Sequence, residues 1–403
     1  MQILYFQHSL RPTNVSELEG AYRYVRSHGL TMQSVQYDLA MREQRLSCVR
    51  CDADVKKLLS FWRPDGCIVE CGGRSNPFRT LDFKGTPVVF LDCDPNTVGD
   101  NTICIYSDAD DIAACAAREL LPLGFSDYAY LPFPEKRYWS IARGETFAAY
   151  VAENGKKLCR FRSNGGKLDS ERLHVELVGW AKRLPRPCGV FAANDTLANA
   201  FARAVFESGF SIPQDFAVVG VDDDTHLCEN TMVSITSIAT ANEYAGYLAA
   251  ESLVKLIRSR QRPSKTRMMF GVEKLQRRAS TSPLRNADTR VLKAMEFIRR
   301  HATERVTPTN VVEVMGCSRR LADLRFREAV GHSILDEIHS VRLEKVKELI
   351  CGSKMDVSAL PDFCGYGSVA DLRRDFKKRV GMTMKDFARS CAAQRRNRYR
   401  MLP

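Results

Sequence analysis

The stretch "CGVFAANDTLANAFARAV", residues 188–205, decides how the first two thirds of this 403-residue chain are read. An unbroken apolar run from Cys188 to Ala193 meets Asn194-Asp195-Thr196 and then passes into a segment with helical spacing. A short run that is apolar at every position suits a strand buried on both faces, as in a parallel sheet. Small polar residues at the junction can cap the free N–H groups of the helix. They also stand at the carboxyl end of a strand, where open α/β sheets bind ligands. A capping role and a ligand role are both open for Asn194 and Asp195.

Working outward, the same alternation recurs. "QILYF" (2–6), "GCIVEC" (66–71), "PVVFLD" (87–92), "TICIY" (102–106), "YAYLPF" (128–133) and "FAVVGVD" (216–222) read as further buried strands. Helices are expected near 15–27, 109–121, 138–153, 170–183, 195–209 and 242–260. The expected fold is α/β, with helices on both faces of parallel sheets, and residues 1–270 are enough for a two-lobed domain.

Composition narrows the function. The chain is 44% hydrophobic and 27% charged, and no run of about 18 apolar residues is present, so no membrane partner is expected. The start, "MQILYFQHSLRPTN", reads as a strand of the folded protein and not as a signal peptide, which points to the cytoplasm and to reduced thiols for the fourteen cysteines. Cys48 and Cys51 have CxxC spacing without a second pair, so neither a metal nor another cofactor is expected. Seven scattered histidines form no HExxH or comparable set, which argues against an enzyme. The net charge of +12 is uneven: residues 1–254 carry −6, residues 255–283 carry +8 and residues 284–403 carry +10. Such asymmetry suits a polyanion as the partner of the C-terminal part.

Residues 271–286, "GVEKLQRRASTSPLRN", look like a basic linker. From 287 to 403 the periodicity is helical, and one pattern occurs twice, near 306–330 and 355–380. Each copy has a short amphipathic helix, a Gly turn (Gly316, Gly365) and a capping Ser (Ser318, Ser368). An inward Phe follows eight residues after that Ser (Phe326, Phe376), and a Gly five residues later (Gly331, Gly381). The Gly permits a tight turn and the Ser satisfies N–H groups at the next helix start, so the pattern is a helix-turn-helix, present twice.

On "CSRRLADLRFREAVGHS", "VRLEKVKELI" and "CGYGSVADLRRDFKKRVGMT", residues 289–390 resemble the DNA-binding domain of AraC/XylS-type regulators. Pro361, Met384 and Ala388 depart from that family's pattern, and Pro361 should weaken or shift the start of its helix. The N-terminal region resembles the sensor domain of LacI/GalR-type regulators, which has a periplasmic-binding-protein fold. The motifs are "SIARGETFAAYV", "GVFAANDTLANAFARAV", "SIPQDFAVVGVDDD" and "TSIATANEYAGYLAAESL". A LacI-like sensor followed by an AraC-like domain is similar to the xylose-operon type of regulator. The resemblance implies a homodimer and a small effector of the monosaccharide class; a non-sugar such as a purine is the alternative. An exported solute-binding protein would share the sensor fold but not the fused basic domain.

A sugar presents neighbouring hydroxyls that donate and accept, so its site needs planar, bidentate groups at strand ends. Asn194, Asp222 and Arg143 supply an amide, two acceptor oxygens and a donor fork, at positions that match sugar-contacting positions of LacI-type sensors. Asp92 matches another. His8 and Ser9 follow the first strand, Arg74 follows "IVECGG", and Trp139 or Phe161 could stack on a sugar ring. Asp223 and Asp224 read as a solvated turn. For DNA, base reading falls to the outer face of each second helix: Arg319, Arg320, Asp323 and Leu324 in the first, Val369, Ala370, Arg373 and Arg374 in the second. Ser368, Lys377 and Lys378 are placed for phosphates.

Overall fold

The computed structural model describes residues 1–36, 52–74, 83, 85–99, 102–163, 171–259, 265–282, 288–352, 357 and 359–390. Cys48 and Cys51 lie outside these residues. The chain divides into two compact units, Met1–Thr281 and Ser282–Pro403.

The first unit holds two six-stranded sheets. One lobe contains β1 (Gln2–Gln7), β2 (Thr31–Gln36), β3 (Gly66–Arg74), β4 (Val88–Cys93), β5 (Ile103–Ser107) and β11 (Thr266–Phe270), in the order β11-β5-β4-β3-β1-β2 with every pairing parallel. The other contains β6 (Asp127–Leu131), β7 (Lys157–Arg160), β8 (Cys188–Ala192), β9 (Phe216–Val221), β10 (Thr236–Thr240) and β12 (Val272–Gln276), in the order β12-β10-β9-β8-β6-β7. Here only β12 runs antiparallel to its neighbour. Every residue of β8 and β9 is buried, as unbroken apolar runs under helices on both faces require. The covering helices are α1 (Pro12–Ser27), α2 (Asp52–Trp62), α3 (Ala109–Leu120), α4 (Tyr138–Glu153), α5 (Glu171–Arg183), α6 (Asp195–Glu207), α7 (Thr225–Glu229) and α8 (Asn242–Ser259).

The chain passes between the lobes three times, from β5 to α3, from β10 to α8 and from β11 to β12. The crossings are tied together: Asp108 N–H donates to Phe270 O at 2.8 Å, Ala241 N–H to Gly271 O at 3.0 Å and Val272 N–H to the Asp111 carboxylate at 2.8 Å. In the first lobe α1 and α8 cross backbone to backbone. Each contributes a glycine at the contact, so that a Cβ on Gly20 would collide with the Glu243 carbonyl and one on Gly246 with the Glu17 carbonyl.

The segment expected as a linker over 271–286 is folded in its first part. β12 joins the second sheet, and Ser280 Oγ donates to Val218 O at 2.5 Å. Arg278 is 8% exposed and pairs with Asp223 at 2.8 Å and Glu229 at 3.3 Å, while Arg277 meets Glu119 at 2.9 Å. Its basic residues are thus partners of acids in the second lobe, and the sensor unit extends to Thr281 and not to 270. Residues 283–287 lie outside those described.

The second unit is helical: α9 (Thr289–His301), α10 (Pro308–Met315), α11 (Arg319–Val330), α12 (Ile334–Gly352), α13 (Leu360–Cys364) and α14 (Val369–Val380). α10–α11 and α13–α14 are the two helix-turn-helix pairs. Gly316 at φ +58° and Gly365 at φ +72° make the turns, Ser318 Oγ accepts from Leu321 N–H at 3.4 Å, and Ser368 Oγ accepts from Asp371 N–H at 3.1 Å. Pro361 sits in the first turn of α13, where a missing N–H is tolerated, and α13 has five residues against eight in α10. α12 serves two cores: Ile334 and Ile338 pack with Phe326, whereas Leu343 and Val346 pack with Phe376.

The glycine contact yields a stability test. Gly246→Ala must force α1 and α8 apart, an overpacking that should cost about 3 kcal/mol. Gly99→Ala, where an added Cβ meets nothing within 4 Å, is the control. Urea denaturation of both variants measures the difference, and equal stabilities would mean that the helices separate freely.

Candidate functional site

His8, Asp92, Trp139, Arg143, Asn194 and Asp222 line one cavity of about 220 Å³ between the two lobes of the sensor unit. His8 follows β1 and Asp92 belongs to the end of β4, both in the first lobe. Asn194 follows β8, Asp222 follows β9, and α4 carries Trp139 and Arg143, all in the second. The carboxyl ends of both sheets therefore face each other across the cavity.

Arg143 is 5% exposed. Its Nη1 donates to Ala193 O at 2.7 Å, its guanidinium lies 4.7 Å from the centre of the Trp139 ring, and its Nε has no hydrogen-bond partner among the described residues. Burial pushes both Asp92 and Asp222 up to about 6, against the pull of the Arg143 charge between them. Arg11, also on the cavity wall, pulls Asp222 further down. Asp92 has φ +47° and Asp222 φ +109°, so each acid occupies backbone that favours glycine. Strain of this kind persists where surrounding contacts over-determine the conformation.

For Asp222 those contacts come from Asp195. Asn194 caps α6, with Oδ1 accepting from Leu197 N–H at 3.1 Å, and it also lines the cavity. Capping and cavity lining coincide in this residue, and what remains for a ligand is the Nδ2 donor. Asp195 points away from the cavity. Its Oδ1 accepts from Ser237 Oγ at 2.6 Å and its Oδ2 from Asp224 N–H at 2.8 Å. Ser237 Oγ in turn accepts from Asp223 N–H at 3.0 Å. Asp223 and Asp224 are consequently not a solvated turn: Asp223 pairs with Arg278, and Asp224 Oδ1 accepts from His226 N–H at 3.1 Å to cap α7.

Two aromatic expectations separate. Trp139 reaches the opposite lobe, where a Cβ on Gly73, at φ +69°, would strike its indole nitrogen. Phe161 is instead core, 5% exposed and 5.1 Å from Trp180 between ring centres. Ser9 lines the cavity, and the Arg74 side chain lies outside what is described. Arg11, Asn14, Phe133, Arg137 and Asn242 also line it and were not expected. Asn14 is held from below by Glu70, which also accepts from His8 N–H at 3.2 Å. Burial raises the carboxyls of Glu70 and its neighbour Glu17 well above the usual carboxylate range.

On α11 and α14 the expected DNA-facing side chains fall into two groups. Arg319 is engaged by Asp323 at 3.8 Å and Thr309 at 3.4 Å, and Arg374 by Asp371 at 2.5 Å. Ser368 Oγ donates to Asp371 Oδ2 at 2.8 Å. Arg320, Arg373, Lys377 and Lys378 are exposed and have no side-chain partner among the described residues. Val369 is half-buried and Ala370 exposed.

Residues 117–281 match the periplasmic binding protein-like domain family and residues 311–390 a helix-turn-helix domain family. The xylose operon regulatory protein of Haemophilus influenzae is 26% identical over 292 residues, 71% of this chain and 75% of the relative. That of Escherichia coli K12 is 26% identical over 286 residues, 70% and 73%. A solved structure of a xylose-binding transcription activator covers 96% of this chain and 98% of its own, with a TM-score of 0.57 at 20% identity. The chain has the architecture of the xylose-operon type of regulator. It is a DNA-binding transcription regulator, with a LacI-like sensor followed by a double helix-turn-helix domain. A lac repressor dimer bound to operator matches the sensor part of this regulator, with 69% of the chain covered and a TM-score of 0.55 at 20% identity.

The Asp195 geometry can be tested without a ligand. Asp195→Asn turns one of two acceptor oxygens into a donor, so the side chain can no longer accept from both Ser237 Oγ and Asp224 N–H, and amide exchange at Asp223 and Asp224 should accelerate about tenfold. Unchanged protection there would show that the turn holds itself.

Proposed function

We propose that the regulator binds one neutral monosaccharide between its sensor lobes, a pentose such as D-xylose being the first candidate, and that it does so as a cytoplasmic homodimer on operator DNA. The observation that carries the effector class is the charge balance of the cavity. Two half-buried acids, Asp92 and Asp222, face Arg143 with Arg11 at the wall, which provides acceptors and donors in alternation without an excess of either sign. Arg137, also on the wall, pairs with Glu135. Hydroxyl pairs suit such a surface. A planar base would need an aromatic face, whereas one face of Trp139 is taken by the Arg143 guanidinium and Phe133 packs edge-on at 5.5 Å. A cavity of about 220 Å³ favours a single sugar ring over a disaccharide. Xylose in particular rests on the names of the relatives, as does dimerisation.

In this reading Arg143, Asn194 and Asp222 hold the sugar, with Asp92, His8 and Trp139 from the remaining walls. Arg320 and Arg373 read base edges, joined by Val369 and Ala370 at thymine methyl groups. Lys377 and Lys378 hold phosphates. Arg319, Arg374 and Ser368 are placed on the same faces but must first leave their intramolecular partners.

Isothermal titration with D-xylose tests the sensor. Hydroxyls donate to ionised Asp92 and Asp222, so affinity should fall as pH drops through about 6. The unliganded sensor should move the other way. Raised folded-state carboxyls favour the protonated form, so their contribution to stability grows as pH falls from about 6 towards the unfolded value near 3.9. Asp222→Asn should weaken binding by about 2 kcal/mol and flatten the pH profile. A pH-independent affinity, or undiminished binding by the variant, would remove Asp222 from the site.

The DNA assignment separates reading from holding. Arg320→Ala should weaken operator binding by about 1–3 kcal/mol while sparing scrambled duplex. Lys377→Ala should weaken both alike and reduce the salt slope by close to one unit. Equal losses on both duplexes for Arg320→Ala would assign that arginine to phosphate.

A further inference from the structure

The reading face of α11 contains a residue that neither charge nor packing explains. Leu324 is 53% exposed. Ala322 and Phe326 are the buried residues of this helix, and they anchor it in the first helix-turn-helix core. At about 100° per residue, Arg320, Leu324 and Arg327 fall within an arc of about 60° on the opposite side. Arg320 and Arg327 are exposed and have no side-chain partner among the described residues, and Asp323 on the flank is engaged by Arg319. A large aliphatic group thus stands between two available cations. At the matching place in α14, six residues after the capping serine, stands Arg374.

We infer, resting on the proposed reading of operator DNA by α11, that Leu324 is a specificity-determining residue that packs on the 5-methyl group of a thymine, next to a guanine read by Arg320. On the major-groove edges of the four bases the thymine methyl is the one apolar group, so an aliphatic side chain carried into the groove has this partner and no other. The flanking cations fit the same surface: Arg320 reaches purine acceptors, and Arg327, one turn beyond Leu324, faces the backbone. Arg320 and Leu324 are four residues apart, about 6 Å along the helix. With base pairs about 3.4 Å apart, the thymine lies one or two base pairs from the guanine. The second unit, with Arg374 in this place, does not make this contact.

The experiment uses the full-length protein. An operator is selected from random duplexes with and without D-xylose, and each thymine is then replaced singly by deoxyuridine, which lacks the methyl group and keeps the hydrogen-bonding edge. At one thymine, one or two base pairs from a guanine whose replacement affects wild type but not Arg320→Ala, deoxyuridine should weaken wild-type binding about fourfold, the equivalent of one buried methyl group. The same replacement should not affect Leu324→Ala, whose side chain is exposed and whose helicity should match wild type. The inference is overturned if no deoxyuridine affects the wild type, or if the sensitive thymine stays sensitive in Leu324→Ala, since Val369 or Ala370 would then hold the methyl. It is also overturned if Leu324→Ala keeps full operator affinity and loses only transcriptional output, which would make Leu324 a contact to a protein. Failure to select any sequence would remove sequence reading by this unit, and Leu324 with it.

Discussion

Arg143 keeps a cation almost wholly out of water, and the sensor cavity is organised around that fact. A buried guanidinium is tolerable only with opposite charge and hydrogen-bond acceptors close by. The chain supplies them from both sheets: Asp92 from the first lobe, Asp222 and the Ala193 carbonyl from the second. The arginine pulls both carboxyls down while partial burial pushes them up, which leaves both at about 6. Each lobe therefore carries part of an electrostatic unit that the other completes. A polar ligand that adds hydrogen bonds to these groups adds them to both lobes at once, which gives it leverage over their separation.

Placing the acids requires backbone that an ordinary strand end does not adopt. Asp222 at φ +109° and Asp223 at φ +51° are held because Asp195 and Ser237 accept the next two amides, and because Arg278 pairs with Asp223. The two residues of the "ND" pair thus divide the work. Asn194 caps its helix and faces the cavity, while Asp195 fixes a turn 27 positions further on. The segment after Gly271 enters this arrangement as well. Arg278 comes from what composition alone marks as a linker, and its burial in the second lobe makes that segment part of the machinery that aims Asp222.

What could be read from residues alone follows from how burial writes itself into sequence. β1, β3, β4, β5, β6, β8 and β9 lie inside the sheets, and burial on both faces demands apolar runs that stand out; β10 also lies inside and is fully buried, but the Thr and Ser of "TSIAT" break its run. The edge strands β2, β7, β11 and β12 do not: "TMQSVQ" and "TRMMF" bury one residue each, and "KLCR" and "VEKLQ" bury none fully. Of the expected cavity residues, His8, Asp92, Asn194 and Asp222 were legible because strand ends in an α/β sheet are few, whereas Arg143 was marked by the LacI-like motif on α4 and Trp139 stands just before it. Arg11, Asn14, Arg137 and Asn242 have the same chemistry as many surface residues, and only the folding back of their loops brings them to the wall. The φ values of Asp92 and Asp222, and ion pairs such as Asp223 with Arg278, join positions whose relation no local pattern records.

In the DNA-binding unit the doubled motif was plain, and the distribution of its charge was not. The recognition helices α11 and α14 belong to separate cores that share α12, so their relative placement is a packing property of one helix. Arg342 sits at the junction. It donates to Ala302 O at 2.7 Å and Val306 O at 2.9 Å, and it lies 5.9 Å from the centre of the Tyr366 ring. Asp375 on α14 gathers Tyr366 at 2.8 Å, His339 at 3.0 Å and Arg379 at 2.9 Å, and Arg379 extends to Asp336 at 2.8 Å. Its hydrogen bonds from Ser333 and Arg379 hold the Asp336 carboxyl down at about 2, so this tie stays charged far into acid. Several cations of a basic domain are thereby spent on holding its two halves in register. Among the cations without a side-chain partner among the described residues are Arg320, Arg327, Arg373, Lys377 and Lys378, and a polyanion is what can answer their charge.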